Sequence, residues 1–564
     1  MTLRSLLSVI AITAVAAPVA AVQEPTDVGL PPDLVEGVVA FLNDSTTTRL
    51  NGYTRIAPGQ SVVGAVGVVG GDVEVAGTID GDLLLVNGDL TVAPGGRITG
   101  DVLIVGGRVI AAADDAVGGE IQVHADRLRL VARRGGVEVT PTATANRQGL
   151  YIGGARITVR SGTNYNRVEG LPVLFGPVFR TSGPNPLRVD ALAIWRTEHD
   201  QTRDDLGFQV AVDQTFGPAT ARMGVGLGAF SRVAPIESWG LTDLEASLSS
   251  FFFHEDYRDY FEERGWHAWA RAQIPGTAAE FQLEYRNRDL TAVPTGSPWT
   301  LRRNDRPWRA QPLVPEGDLQ TLTARLIWDE RNDADDPTDG WYFSGRVTRG
   351  LAGSLLLPVP VDEFLEPSGD PTPVDAGFTT GFVEFRRYAR LSPDHDLSLR
   401  LIAAGSLDGD LQPAFYQHTL GGEGSLPGYR LFELDCGARS SLLPYVHRGT
   451  GEPEPAYGRY GCSRIAHFQL QYRGRLPIDA LRGDAGPNLS EGSGWFDGVD
   501  LDPRWLLFFD AGRAWSQDGD FADEPSVADI GAGITIGGVG AYWAYPLSGD
   551  HRRVNFFLRL QRRF

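Results

Sequence analysis

Lysine is absent from the 564 residues, and cysteine and methionine occur only twice each. Beyond the N-terminus no apolar run approaches the roughly 18 residues that a membrane-spanning helix requires. Any insertion into a bilayer therefore uses strands. Every basic residue is an arginine, a bias that fixes no function by itself. Basic residues total 51 against 71 acidic ones, a formal net charge of −20. That balance argues against a nucleic-acid partner, because such a partner must be met by cations that displace its phosphate counterions. Catalytic patterns are missing too: there is no His-Glu-x-x-His, no Gly-x-Ser-x-Gly and no phosphate loop. Gly224-x-Gly226-x-Gly228 and Gly531-x-Gly533 lie in strand-like text with no following helix to hold a phosphate, so they read as small lumen or corner residues. Asp333, Asp335, Asp336 and Asp339 lack the spacing of a calcium loop and read as a turn. The stretch from His254 to Arg264 reads as a solvated surface loop. No enzymatic chemistry, cofactor or metal is expected.

What is present begins with an export signal. Arg4, the apolar run Leu6 to Ala17 and the small residues through Ala21 have the pattern of a signal peptide over 1–21. Cys436 and Cys462 share one loop-like segment. In an oxidising compartment they can pair as a disulfide, two unpaired thiols being the alternative.

After a linker over 22–49, residues 50–140 repeat a short phrase. Val69-Gly70-Gly71-Asp72-Val73, Val86-Asn87-Gly88-Asp89-Leu90 and Val105-Gly106-Gly107-Arg108-Val109 recur at a nearly fixed period. A second phrase, at Gly81-Asp82-Leu83, Gly100-Asp101-Val102 and Gly119-Glu120-Ile121, keeps the same rhythm. Glycine-punctuated β-branched runs of this kind predict a small parallel β-helix with two strands per coil, each coil burying Val, Leu and Ile against the next. The segment resembles the bactofilin-like polymer-forming scaffold domains. That resemblance implies lateral assembly or a docking surface; a rigid plug or spacer is the alternative.

A second linker, 141–162, precedes alternating strands over 163–564. Phe281, Leu283 and Tyr285 alternate with Gln282, Glu284 and Arg286, and Phe468, Leu470 and Tyr472 with Gln469, Gln471 and Arg473. A soluble sandwich alternates as well, so period alone does not decide. Trp505, Leu507, Phe509, Ala511 and Trp515 share one face with an aromatic at each end. Their ten steps, at about 3.3 Å each and tilted by roughly 40°, span about 25 Å, the height of an outer-membrane apolar band. The last strand is expected to run from Val554 to Phe564, with Phe556, Leu558, Leu560 and Phe564 on one face. The fold class is thus all-β: a C-terminal transmembrane barrel of about sixteen antiparallel strands behind a β-helix-like domain. Pro477 to Asp502 is a long connection where a short one is expected.

Several phrases resemble the BamA/TamA/FhaC superfamily of outer-membrane barrels, the bacterial surface antigen type. Tyr165-Asn166-Arg167-Val168-Glu169-Gly170-Leu171 is similar to the family's first barrel strand. Trp328-Asp329-Glu330-Arg331-Asn332 with Pro337-Thr338-Asp339-Gly340-Trp341 is similar to its central turn. Leu420-Gly421-Gly422 with Leu426-Pro427-Gly428-Tyr429-Arg430 resembles the loop that folds into the lumen, and Phe508-x-Asp510-x-Gly512 the strand motif facing it. The resemblance implies a latch of Gly428, Tyr429 and Arg430, with the Arg430 guanidinium on Asp510. Two departures stand out: Pro427 occupies the place where the family has arginine, and Gln471 the place of a second carboxylate. The family's client-recruiting POTRA modules are not recognisable upstream.

The expected function is assembly or translocation of outer-membrane protein or lipid. A membrane-anchored scaffold acting through the repeat, or a passive pore, is the alternative. Expected partners are outer-membrane lipid, unfolded outer-membrane or secreted polypeptide clients, and the barrel-assembly machinery for the chain's own insertion. The expected location is the cell outer membrane with the repeat domain in the periplasm, and the last strand is expected to close against the one near Arg167.

Overall fold

The computed structural model describes residues 32–564 apart from 114, 125–127, 129, 134–135, 140–149, 153–154, 162–163, 182–184, 199–205, 219–220, 303–305, 333–336, 372, 393, 409–411, 449, 477–502, 517–525, 537–538, 550–551 and 561. The expected signal peptide and the Pro477 to Asp502 connection lie outside the described residues.

The glycine-punctuated repeat forms a parallel solenoid. One stack runs Thr48–Asn51, Val66–Val69, Leu83–Val86, Val102–Val105, Ile121–His124, and a second runs Thr54–Ile56, Val73–Val75, Leu90–Val92, Val109–Ala111. A third, not expected from the two phrases, runs Ser61–Val63, Thr78–Asp80, Arg97–Ile98. Each coil therefore has three strands where two were expected. The third was hidden because its strands are short and bury only single residues such as Ile79 and Ile98, both fully buried.

The repeated phrase has a physical origin. A Cβ on Gly88 would lie 2.1 Å from the Gly71 carbonyl oxygen, and one on Gly107 would lie 1.8 Å from that of Gly88, so only glycine permits the coils to stack. The aspartate after it bonds the next coil: Asp89 N–H donates to Asp72 Oδ1 at 2.8 Å, and Asp101 N–H to Asp82 Oδ1 at 2.9 Å.

Part of the expected 22–49 linker is a helix, Pro32–Asn43. Leu34, Val35, Val38, Phe41 and Leu42 fall on one face at helical spacing. Val38 and Leu42 are fully buried and pack with Leu84, Val86 and Val105. The run Leu83 to Val86 is consequently covered on both sides, with Leu83 and Leu85 packed among the coil's interior residues and Leu84 and Val86 against the helix. Each such buried side chain contributes roughly 1.5–3 kcal/mol.

Downstream lies one antiparallel sheet of eighteen strands. Two of these, Leu150–Ile152 and Pro373–Asp375, are three-residue additions. The remaining sixteen run in sequence order from Ala155–Ser161 to Asn555–Arg559. The polarity of the alternation identifies the sheet as a membrane barrel. Phe281, Leu283, Trp266, Leu507, Trp543 and Leu558 are exposed, while Gln469, Gln471, Arg473 and Asp510 are buried. A soluble sandwich buries its apolar face, whereas a barrel in lipid turns that face outward and keeps its polar residues within. Contacts across the interior join strands far apart in order, as when Arg559 of the last strand meets Glu245 in the connection after Met223–Pro235. The sheet is therefore wrapped around a common interior.

Four expectations need correction. The first long strand is Ala155–Ser161, so the expected 141–162 linker contains strands of the sheet. Tyr165 to Leu171 is the loop after that strand: Asn166 and Gly170 exchange both backbone hydrogen bonds, and the Asn166 side chain accepts from Val168 and Glu169 N–H. Asn and Gly at those places make a tight turn, which overrides any strand tendency. The last strand stops at Arg559, short of Phe564, because Leu560 N–H leaves the sheet to donate to Glu245 at 3.1 Å. Phe556 and Leu558 face outward as expected, but Leu560 and Phe564 are only half-buried and lie outside the strand. Among the described residues no ladder joins Asn555–Arg559 to the segment near Arg167; the edge of Ala155–Ser161 pairs instead with Leu150–Ile152.

Apart from 476–503, the longest connections, 236–259, 292–315, 357–378 and 407–463, lie at one end of the barrel and shorter ones at the other. The solenoid touches the short-connection end, where Arg108 donates to the Asp329 carbonyl at 2.9 Å and Gln273 to the Val109 carbonyl at 2.9 Å. The Trp328 to Trp341 turn is built for this position. Asp329 holds Arg331 at 2.7 Å, the Asn332 side chain accepts from Thr338 and Asp339 N–H, and Gly340 has φ +109° where a Cβ would strike the Glu330 carbonyl.

Candidate functional site

The barrel interior is filled by segments of two long connections and by the residues after the last strand. The lumen loop and the residues after the last strand converge on the inward face of Arg504–Trp515 and Val527–Ile536, while the third segment meets the end of the last strand. On the first of these strands Phe508, Asp510 and Gly512 point inward and are buried. Gly512 leaves the space that the lumen loop fills: a Cβ there would meet Leu420 at 2.9 Å and Leu426 at 3.0 Å.

The lumen loop is seated by backbone and side chain together. Ser425 O lies 3.0 Å from His467 Nε2 and accepts from Gln469 Nε2 at 3.4 Å. Gly428 N–H donates to the Asp529 carboxylate at 2.7 Å, and Asn555 Nδ2 donates to the Pro427 and Gly428 carbonyls at 3.1 and 2.9 Å. Glycine is required at 428, since a Cβ would lie 2.7 Å from the Asp529 Cβ. Tyr429 Oη donates to Ala528 O at 2.8 Å. Neutral bonds of this kind are worth about 0.5–1.5 kcal/mol each.

The expected Arg430 to Asp510 pair does not form. Arg430 is exposed, its carbonyl turned to Glu433 N–H. Asp510 instead pairs with Arg563, whose guanidinium also lies 3.9 Å from the centre of the Phe508 ring. Gln469 donates to Asp510 at 3.3 Å, and Asp529 faces Asp510 from the adjacent strand. Tyr429 wedged against Val527–Ile536 directs the next residue away from the lumen wall, and the 560–564 segment fills the vacated place.

The second interior segment is the short helix Asp243–Leu248. Thr242 and Glu245 form a capping box, Glu245 N–H donating to Thr242 Oγ1 at 3.3 Å and Thr242 N–H to the Glu245 carboxylate at 3.1 Å. The same carboxylate takes Arg559 at 2.6 Å and Leu560 N–H at 3.1 Å. Burial pushes the Glu245 carboxyl up, but Arg559 and the two backbone N–H groups outweigh it and hold the group below the usual carboxylate range. Glu245 thus ties a loop helix to the end of the last strand. The sequence reading missed this residue, although Thr-x-x-Glu before a helix is a legible signal.

At the long-connection end Arg167, Glu169 and Gly170 sit under folded loops. Arg167 is fully buried, pairs with Asp259 and with Asp256 at 3.3 Å, and donates to Gln311 at 2.7 Å. Burial acts to raise the Asp259 carboxyl, yet Arg309 and Arg167 together hold it at about 2. Glu169 pairs with Arg196 at 2.9 Å, and Gly170 has φ +68°. These residues close the loop end and do not meet the Asp510 group. Cys436 and Cys462 are joined as a disulfide beneath the same loops, beside Leu434.

No family model matches the chain, and none of the curated proteins matches it. Solved structures that resemble it include BamA from Haemophilus ducreyi lacking POTRA domains 1–3, at 13% identity and TM-score 0.39, covering 76% of this chain and 79% of that one. CdiB from Escherichia coli is 12% identical at TM-score 0.30 over 77% and 66%. CdiB from Acinetobacter baumannii is 9% identical at TM-score 0.30 over 76% and 63%. At these values the likeness does not bear on function. The barrel rests on the strand register and on which side chains face outward.

Proposed function

We propose that this chain is an outer-membrane barrel of the bacterial surface antigen type that assists the assembly or passage of polypeptide or lipid through conformational change. One observation carries the reading: the lumen loop, the capping helix and the segment after Arg559 are all held inside the barrel by polar bonds to the last few strands. Such contacts are directional and few, so they can be exchanged without unfolding the wall. The similarity of Leu426 to Arg430 and of Phe508 to Gly512 to the superfamily's motifs supports the same reading. In this reading the solenoid end faces the periplasm and the long connections face outward, as in barrels with short periplasmic turns.

The test is reconstitution. Full-length protein in liposomes should speed the folding of an added unfolded outer-membrane barrel, and N555A, which removes the bonds that seat the lumen loop through the Pro427 and Gly428 carbonyls, should change that rate several-fold. Equal folding rates with empty liposomes would remove the reading.

A second reading, a membrane-anchored scaffold, is favoured by the solenoid's direct seat on the barrel through Arg108 and Gln273. Filaments formed by the full chain in detergent would support it.

A further inference from the structure

The inward face of Glu316–Asp329 and Gly340–Leu356 carries two arginines directly opposite one another, Arg325 and Arg346. Thr323 and Thr348, one pair further along the same face, lie within hydrogen-bond distance at 3.0 Å, and Val347 points outward to the lipid side. Like charges placed opposite each other across a ladder destabilise a sheet by some tenths of a kcal/mol. Elsewhere in the lumen this repulsion is avoided. Arg271 reaches Asp213 at 2.7 Å, Arg286 reaches Glu284 at 2.7 Å, and Arg386 and Arg400 both reach Glu384 at 2.6 Å.

Neither member of the central pair has such a partner among the described residues; Arg346 lies over the Phe382 ring, 5.5 Å from its centre. The nearest inward carboxylate by register, Glu284 opposite Thr323, is already committed to His267 at 2.8 Å and to Arg286. Arg346 is also exposed despite pointing inward, so solvent reaches it within the barrel. Gln282, opposite Arg325 on the other side, adds an amide to the same row.

We propose that Arg325 and Arg346 form an oxyanion site on the lumen wall that receives a phosphoryl group. Two planar guanidinium forks on adjacent strands offer several parallel N–H donors, which suits a tetrahedral dianion better than a single carboxylate. The Thr323 and Thr348 hydroxyls and the Gln282 amide lie beside the pair to complete its hydrogen bonding. Occupation converts a repulsive pair into a bridged one, so the wall gains stability on binding. This inference does not depend on the barrel acting in assembly.

The experiment is a titration of the full-length protein in zwitterionic detergent at low ionic strength with inorganic phosphate, read by calorimetry and by thermal midpoint. The expected result is saturable binding that raises the midpoint, with R325Q and R346Q each weakening binding about tenfold or more and R325Q/R346Q abolishing it. R346Q alone should melt higher than wild type without phosphate, because the repulsion is relieved, and should gain little when phosphate is added. A purely structural pair of arginines does not produce that crossover. Should R325Q/R346Q fail to fold, judged by heat-modifiable gel migration, the single variants decide. In a second arm dihexanoyl phosphatidic acid replaces phosphate. Tighter binding that is lost in the same variants identifies a lipid headgroup as occupant, and equal or weaker binding a free phosphate. No saturable uptake in either arm, or uptake unchanged by the substitutions, overturns the proposal.

Discussion

Arg563 pairs with Asp510 inside the barrel, so the residues after the last strand supply the cation that the lumen loop was expected to provide. Both side chains are buried, and Asp529 faces Asp510 from the adjacent strand, so Arg563 lies beside two carboxyl groups. Removing one partner of a buried pair leaves the other uncompensated, at a cost of about 3–5 kcal/mol.

R563Q should lower the stability of the detergent-solubilised protein to urea by roughly that amount, and D510N by less, because Asp529 remains beside Arg563. The double variant should lose clearly less than the sum, since the two act as a unit. R430Q, in contrast, should change stability by less than about 0.5 kcal/mol, as for any exposed side chain without a special role. Additive losses would show that the pair does not interact.

Glu245 has two duties, and its replacement should expose both. In E245Q the Arg559 guanidinium loses its ionic partner and Leu560 N–H its charged acceptor. Protease cleavage within 236–259 should rise several-fold over wild type in intact liposomes, and hydrogen exchange should quicken at Asn555–Arg559. E245A should do more, because it also removes the helix cap at a further cost of about 1 kcal/mol.

The Cys436 to Cys462 disulfide closes a segment with a sequence separation of 26. On the chain-entropy account its loss costs roughly 3–4 kcal/mol of loop stability. Reduction, or C436S/C462S, should sensitise residues 407–463 to limited proteolysis while leaving the heat-modifiable barrel band unchanged. Loss of the barrel band on mild reduction would place the disulfide in the barrel's own stability.

Asp72 gives a pH dependence whose sign is fixed. Burial, helped by the Asp89 and Asp329 charges, outweighs the hydrogen bond from Asp89 N–H and the Arg108 guanidinium and pushes its carboxyl up to about 6. A carboxyl raised on folding favours the folded state below its ordinary value near 3.8 and loses that contribution as pH rises through about 6. The solenoid should therefore melt at a higher temperature at pH 5 than at pH 7, followed by circular dichroism. D72N should flatten the difference; an unchanged pH profile in D72N would assign the effect to another group.

The residues explain which parts of this structure were legible. Periodicity reports side-chain direction, so the strands around Phe281, Phe468 and Leu507 were readable, as were the Gly-Asp phrases, where coil stacking forbids a Cβ. The helix at Pro32–Asn43 was missed although its apolar spacing is helical. Its partner surface, Leu84 and Val86, belongs to another element, and one segment's pattern does not show what covers it. Strand text alone gave no sign that the chain leaves the sheet after Arg559. The alternation continues to Phe564, but tertiary bonds to Glu245 and Asp510 outweigh it. The Arg430 expectation failed for the same reason, since charge complementarity identifies a need for a cation without saying which arginine arrives.

The central claim is that this barrel serves the assembly or passage of other outer-membrane components. Depleting the protein in its own cells and quantifying outer-membrane barrels and surface lipids tests it most directly. The account predicts that at least one class of barrel or surface lipid falls before growth slows, and that a chain carrying R563Q/D510N restores it only in part. Unchanged levels of every outer-membrane protein and surface lipid after full depletion would contradict it.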